Sequence, residues 1–521
     1  MAYDANDNAA LYFVDRHVAD GRGDKVAFRE ADGAKRSLTY GELAEQCARF
    51  AGALYRSGMR REERIAVIAL DQIEFPVIFW GALKAGVVPV PINTLLSTDI
   101  YKAILDDSRA STLFVSKALW PTVKPALESN RHVRKVIMIG GAEDGAESFD
   151  AFMKGAPIEE TVAVSGDELA FWLYSSGSTG EPKGVRHVHS SLKTTCDTFG
   201  DQVLGIRKDD VVYSAAKLFF AYGLGNAMSF PMAVGAAAVL FSSRPTPDAV
   251  FDIMTAERPT IFCGVPTLYA AMLNQAEKDG GAPDHDIRLG VSAGEALPRE
   301  IGERFEQLFG AEVIDGVGST EMLHIFLSNS PGDVVYGTSG LPVPGYEVRL
   351  VDEHNRDVAD GEVGELLVNG PSSADGYWNQ REKSRATFVG SWTRTGDKYE
   401  CTPEGRYIYC GRSDDMFKVS GIWVAPFEVE QALIDHADVL EAAVVARKDE
   451  DGLEKPAAFI VLKPNADPAV AYRLKAFVQQ KVGKWKYPRW ISVMDELPKT
   501  ATGKIQRFKL RDAGSAKADE R

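Results

Sequence analysis

The sequence predicts an α/β protein: a large N-terminal domain of parallel-rich sheets covered by helices, carrying a small β subdomain, and then a small α+β domain. Three observations predict it. Up to about Tyr346, short apolar runs alternate with stretches of helical periodicity. Beyond Tyr346 the texture changes to short strands at turn-rich spacing. After Gly411 helices return among short strands.

Thr39-Tyr40-Gly41-Glu42 has the form of a capping box, in which threonine and glutamate side chains satisfy two free N–H groups reciprocally. Leu43, Cys47, Phe50, Ala51 and Leu54 then recur at helical spacing, and Gly58 is placed to stop the helix. Ile65 to Leu70 reads as a strand, Phe75 to Lys84 as a helix, and Val87 to Ile92 as a strand despite its prolines. Asp99 to Ser108 and Leu113 to Ser116 repeat the alternation. Short apolar strands between helices belong to largely parallel sheets covered on both faces. Val348 to Asp352, Gly364 to Val368 and Tyr407 to Tyr409 form the β subdomain, about 345–413. Pro426 sits where a helix starts, with Glu428 and Glu430 suited to the positive end of its dipole. Strands at Ala442 to Ala446, Ala458 to Leu462 and Trp490 to Met494, with a helix near Ala471 to Lys481, complete the last module. The boundary is expected at Ser413-Asp414, giving domains of 1–413 and 414–521.

Composition narrows the function classes. Of 521 residues, 45% are hydrophobic and 26% charged, enough for a large core without staples. The cysteines are five, an odd number with no CxxC pair, which argues for a reducing compartment and against a disulfide framework or zinc cluster. The acidic start lacks the basic and apolar segments of a secretion signal, and no stretch is apolar enough to span a bilayer. A cytoplasmic protein without a membrane partner is expected. The formal net charge of −15 makes a poor nucleic-acid surface, because such binding is led by phosphate neutralisation. Anionic substrates would need local cations set in glycine-rich loops.

One such loop stands out: Tyr174-Ser175-Ser176-Gly177-Ser178-Thr179-Gly180-Glu181-Pro182-Lys183-Gly184, after the apolar run Leu169 to Leu173. Its glycines let backbone N–H groups converge on an anion, its hydroxyls add donors, and Lys183 can neutralise a phosphate. Glycine after the lysine distinguishes it from the GxxxxGK[ST] loop. His187-Val188-His189 invites a metal reading, but no acidic or cysteine partner stands nearby in the sequence.

The loop resembles the phosphate loop of the acyl-adenylate-forming superfamily, which holds acyl-CoA synthetases, peptide-synthetase adenylation domains and firefly luciferase. Further similar segments follow in the family's order. They are Gly318-Ser319-Thr320-Glu321, Gly364-Glu365-Leu366, Trp392 to Asp397, Gly411-Arg412-Ser413-Asp414-Asp415 through Lys418-Val419-Ser420-Gly421, and Pro498 to Lys504. The resemblance covers essentially the whole chain. It implies an enzyme that uses ATP to turn a carboxylic acid into an acyl-adenylate and passes the acyl group to coenzyme A.

The residue roles below are those the resemblance implies. Ser175, Ser176, Gly177, Ser178, Thr179, Gly180 and Lys183 would hold the phosphates. Glu321, after Thr320, would bind the Mg²⁺ that bridges them. Asp397 would accept from both ribose hydroxyls, and Arg412 would support the ribose or phosphate side unless an ion pair with Asp414 or Asp415 occupies it. Gly294, Glu295 and Ala296 would pack on adenine, with Asp315 and Gly316 at its edge. Lys504 would bridge carboxylate and α-phosphate oxygens from a mobile C-terminal domain. Gly421 would border the coenzyme A tunnel, and Asp414 would be the hinge of a domain alternation. A lysine acetyltransferase and deacetylase acting on Lys504, and a homodimer, are further expected partners.

For the acid itself, Lys217 to Asn226 mixes aromatic residues with glycines, a composition that suits a planar ring but serves core packing equally well. That stretch and Gly318 to Phe326 closely resemble the benzoate-CoA ligases. The resemblance places Phe220, Ala221, Tyr222, Gly318, His324 and Ile325 around an aryl group. It implies an AMP-forming benzoate-CoA ligase; the alternatives are a 4-hydroxybenzoate-CoA ligase and a stand-alone adenylation enzyme loading a carrier protein.

Overall fold

Thr39 begins the first long helix, Tyr40–Arg56, with the reciprocal bonds expected of it: its hydroxyl accepts the Glu42 N–H, and the Glu42 carboxylate accepts the Thr39 N–H. Gly58, at φ 87°, follows the helix end in a backbone region that favours glycine. The computed structural model describes residues 6–176, 182–413, 415–419, 422–449, 452–463, 466, 469–499, 505–507 and 509–511.

Two sheets carry the parallel strands that the apolar runs predict. In one, Val88–Pro91, Arg64–Ile68, Thr112–Ser116, Lys135–Ile139 and Glu147–Ser148 lie side by side, all parallel. In the other, nine strands run in the order Leu341–Pro342, Ile325–Ser328, Val313–Gly318, Leu289–Ser292, Ile261–Gly264, Val211–Ser214, Ala237–Leu240, Val26–Glu30 and Ser37–Thr39. Its middle is parallel, and antiparallel partners close both margins. The strand expected to reach Leu70 stops at Ile68 because the Leu70 N–H turns to the Ser116 hydroxyl. A three-stranded antiparallel sheet joins Leu169–Ser176, Pro182–Val188 and Gly376–Tyr377.

The β subdomain pairs Glu347–Val351, Gly364–Asn369, Trp392–Cys401, Phe388–Val389 and Tyr407–Arg412 antiparallel. Its Leu350, Leu366, Val368 and Tyr399 join the same buried core as the large sheets. Beyond it, Val439–Lys448, Glu454–Leu462 and Trp490–Val493 form another sheet, and Pro426 is the first residue of the helix Pro426–Ile434. Phe417, Val444, Ile460 and Leu474 gather there in a separate core. The helix Val470–Lys486 outruns its expected end and is interrupted at Gly483, φ 80°.

Three π-helical segments were not anticipated: Leu11–Asp15, Cys196–Val203 and Gly225–Ser229. All five cysteines are free, and among the described residues no helix is long and apolar enough to cross a membrane.

Candidate active site

The strands Leu169–Ser176 and Pro182–Val188 form a hairpin in which Ser175 faces Lys183 and Ser176 faces Pro182. Gly177, Ser178, Thr179 and Gly180, between them, lie outside the described residues. The hairpin is clamped at its base. Tyr174 donates to Asp107 Oδ2 at 2.6 Å, and the Trp378 N–H donates to the Gly184 carbonyl at 2.8 Å. A Cβ on Gly184 would stand 3.2 Å from the Tyr174 ring. The Ser175 hydroxyl oxygen is buried with no hydrogen-bond partner among the described residues.

Lys183 brings its ammonium to the loop after the strand Val313–Gly318. Its Nζ lies 3.8 Å from Glu321 Oε1 and 4.6 Å above the Tyr377 ring. Tyr377 donates to the same Glu321 oxygen at 2.8 Å. Burial, and the Glu321 charge beside it, hold the phenol above its usual range. Thr320 is held from behind: the buried His187 ring donates from Nε2 to its carbonyl at 2.9 Å. Burial pushes His187 down to about 4, so the ring is neutral near pH 7, and a proton facing a carbonyl must sit on Nε2. His189, two residues on, accepts the Ala9 N–H at Nδ1 instead. The adjacent histidines thus serve separate internal contacts.

The loop then turns sharply. Ser319 Oγ accepts the Met322 N–H at 3.1 Å, and Leu323 takes φ 65°, a region that strains a branched side chain. A Cβ on Gly318 would lie 2.5 Å from the His324 carbonyl oxygen, so the turn closes only over glycine.

Asp315 and the Gly294 to Ala296 turn stand toward the carboxyl ends of parallel strands, where open α/β sheets place their ligands, whereas Asp397 and Arg412 come from the antiparallel β subdomain. Asp315 pairs in register with Ser292. It is buried, its Oδ2 accepts the Leu297 N–H at 3.3 Å, and its Oδ1 makes no hydrogen bond of good geometry among the described residues. Burial raises it to about 8, against the pull of its N–H and hydroxyl neighbours. Gly294 takes φ 94°; Glu295 and Ala296 beyond it are half-buried. Asp397 and Arg412 face each other across the antiparallel pair, with Arg412 Nη1 donating to Asp397 Oδ1 at 3.0 Å and to the Thr395 carbonyl at 3.0 Å. Asp415 is instead engaged by Arg511, with Arg507 at 3.9 Å. Gly396 takes φ 73°, a region that favours glycine, and a Cβ there would crowd the Arg412 guanidinium at 2.9 Å.

On the apolar side, Phe220, Ala221 and Tyr222 follow the strand Val211–Ser214. Tyr222 donates to the Val291 carbonyl at 2.9 Å and reaches the Gly264 carbonyl at 3.2 Å, so it presents its ring rather than its hydroxyl. His324 is 3% exposed among the rings of Phe230, Phe199 and Tyr222, at 4.5, 5.1 and 5.8 Å. Among the described residues neither of its nitrogens has a partner of good geometry, and burial pushes it down to about 3, opposed only by the Tyr222 backbone. A Cβ on Gly225 would strike the ring at 2.4 Å, and one on Gly316 would meet Ile325 at 2.7 Å. Tyr222, Gly316, Gly318, His324 and Ile325 therefore belong to one neighbourhood. Asp414, Gly421 and Lys504 lie outside the described residues.

The sequence pattern described as AMP-binding enzyme matches residues 15–378, and that of the AMP-binding enzyme C-terminal domain matches 428–504. The chain belongs to the AMP-binding enzyme family. Within this family it is 52% identical to a 4-hydroxybenzoate-CoA/benzoate-CoA ligase of Rhodopseudomonas palustris, over 97% of this chain and 94% of that one. It is likewise 52% identical to a benzoate-CoA ligase of Thauera aromatica, over 97% and 96%. A crystal structure of a benzoate CoA ligase from Burkholderia xenovorans superposes with TM-score 0.90 at 50% identity, covering 97% of this chain and 99% of that one. Sequence reading missed Tyr377 and the use of His187. Strand alternation offered one signal, since residues 183, 185 and 187 share a face.

Proposed function

We propose that the chain is an AMP-forming benzoate-CoA ligase. The observation that carries the reading is the short loop from Gly318 to Ile325: Glu321 faces Lys183, while His324, three residues on, lies against Tyr222 among aromatic rings. One turn thus joins the proposed phosphate-binding edge to an apolar cluster of rings. In the first half-reaction a benzoate oxygen attacks the α-phosphorus of ATP, the bond to the β-phosphate oxygen breaks, and pyrophosphate leaves. In the second, the coenzyme A sulfur attacks the acyl carbon and AMP departs with the bonding electrons. Both partners of the first step are anions, so positioning and charge stabilisation carry it.

The roles follow from residue chemistry. Lys183 neutralises phosphate charge beside the Ser175–Gly180 loop. Glu321 offers a carboxylate 16% exposed, a hard oxygen donor that would hold Mg²⁺, which would supply neutralisation of the phosphate charge. Asp397 accepts from the ribose hydroxyls while Arg412 holds it in place. The open oxygen of Asp315 suits the adenine amino group, against the Gly294-Glu295-Ala296 turn. Phe220, Ala221, Tyr222, Gly318, His324 and Ile325 surround the ring. Lys504 serves adenylation, Gly421 admits the pantetheine arm, and a domain boundary at Asp414 lets the C-terminal domain exchange them. Acetylation of Lys504 would remove its charge and act as an off switch. A cytoplasmic homodimer is the form we propose.

4-Hydroxybenzoate is the second reading, favoured by the His324 nitrogens, which have no partner of good geometry among the described residues and would pair with a ring hydroxyl. A panel of benzoate, 4-hydroxybenzoate, aminobenzoates and alkyl acids with ATP and coenzyme A, AMP and thioester both measured, decides. Benzoate should have the highest kcat/KM. Faster turnover of alkyl acids, or AMP formed without thioester, would refute the reading.

A further inference from the structure

The segment that carries the aromatic wall is fixed at two places. One is Tyr222, through the Gly264 and Val291 carbonyls. The other is Leu218, whose N–H donates to both oxygens of Asp71, at 3.2 and 3.3 Å. Phe220 and Ala221 lie between these pins. The turn that spans both pins is tight: a Cβ on Gly223, just beyond Tyr222, would stand 2.1 Å from the carbonyl oxygen of Lys217, just before Leu218. Small displacements at Leu218 therefore pass directly to Phe220 and Ala221.

Asp71 comes from the other parallel sheet, after the strand Arg64–Ile68, and its platform is rigid. The Leu70 N–H is held by Ser116 Oγ at 3.0 Å, the Gln72 N–H by the Leu70 carbonyl at 2.8 Å, and the Ile73 N–H by Glu30 at 3.1 Å. The carboxylate is 4% exposed. Burial lifts it to about 6, moderated by the Lys217 charge and the Leu218 N–H, with Asp32 adding a like charge. Lys217 is in turn tied to the Phe241 carbonyl and, at 2.8 Å, to that of Ser243. A carboxylate in so dry a place, with one backbone donor, is a costly choice for packing alone.

We infer that Asp71 is a positioning residue for the carboxylic-acid pocket, anchoring the Leu218–Tyr222 segment from the neighbouring sheet. The inference rests on the proposed acyl pocket. What the anchor needs is an acceptor of the right shape, so Asp71→Asn should serve, its amide oxygen taking the Leu218 N–H. Asp71→Ala should not.

The test uses the full chain and whichever carboxylic acid the wild type turns over fastest. Asp71→Ala should raise KM for that acid by roughly tenfold or more, the effect of one lost hydrogen bond to a charged acceptor. KM for ATP and for coenzyme A should stay within about twofold, and Asp71→Asn should restore the acid KM to near wild type. Hydrogen exchange of the peptide spanning 216–222 should quicken in the alanine variant and not in the asparagine one. Parallel rises in all three KM values, an unchanged acid KM, or a failed asparagine rescue would overturn the anchor. A wild type that prefers an alkyl acid would overturn the aryl reading while the exchange measurement still decides the anchor.

Discussion

Removing one oxygen from Tyr377 separates two contacts made by one ring. Tyr377→Phe keeps the aromatic face under the Lys183 ammonium and deletes the bond to Glu321. A hydrogen bond to a charged group contributes about 1.5–3 kcal/mol. If Glu321 acts at the phosphates, kcat/KM for MgATP should fall roughly tenfold or more while KM for benzoate holds. Titrating MgATP at saturating acid reads this directly, and an unchanged constant would remove Tyr377 from the ATP site. Tyr377 was hard to find by reading along the chain. Its partner Glu321 stands 56 residues away, as Thr320 stands 133 from His187 and Leu218 stands 147 from Asp71. Lys183, Glu321, Asp397 and Arg412 stood out as candidates because each sits in a local segment that resembles the family's. Tyr377, His187 and Asp71 act through tertiary contacts with no local signature.

Elements were legible where their determinants are local. The capping box at Thr39, the stop at Gly58 and the start at Pro426 depend on neighbours within a turn. Sheet order and the π-helical turns did not follow, because they depend on distant packing; the Gly225–Ser229 turn exists where Gly225 yields to the His324 ring. The proposed hinge falls where one core gives way to the other. Arg412 ends the Tyr407–Arg412 strand, tied to Asp397, while Phe417 already belongs to the separate C-terminal core. Between them the Asp415 and Met416 N–H groups turn back to the Arg412 carbonyl at 3.0 and 3.1 Å. The chain thus passes from one core to the other within a few residues, where a rotation between domains would concentrate. Asp414→Pro would fix φ near −65°. Adenylate formation should persist, and thioester transfer should slow on the order of a hundredfold, the effect of misplacing a reacting group. Single-turnover kinetics of the two half-reactions distinguishes the steps; equal slowing of both would deny the hinge.

At the scale of the whole molecule, buried ionisable groups set the response to acid. His17, His187 and His189 are pushed down to about 4 and His324 to about 3, each by burial first. Unfolded, they would titrate near 6.5. Between pH 6.5 and about 4 the unfolded chain therefore binds more protons at these sites, and stability falls as pH drops through that window. Two carboxyls act oppositely. Asp71, near 6, and Asp315, near 8, hold protons that the unfolded chain releases, so their contribution declines as pH rises above about 4. Four groups outweigh two below pH 6, leaving a net loss on the order of 3 kcal/mol per pH unit on acidification, at about 1.4 kcal/mol per proton. By about pH 7 the unfolded histidines have lost most of their protons, Asp315 alone of these six still holds one, and the sign reverses gently toward 8. Stability should thus peak near neutrality. His17 offers the cleanest check, because it lies apart from the site, donating to the Met232 carbonyl at 2.6 Å and accepting from Arg22 at 3.0 Å. His17→Gln keeps a donor for Met232 without a titrating ring. Urea denaturation followed from pH 4.5 to 7 should show a lower midpoint at pH 7 but an acid slope shallower by about one proton. An unaltered slope would mean that His17 titrates alike folded and unfolded.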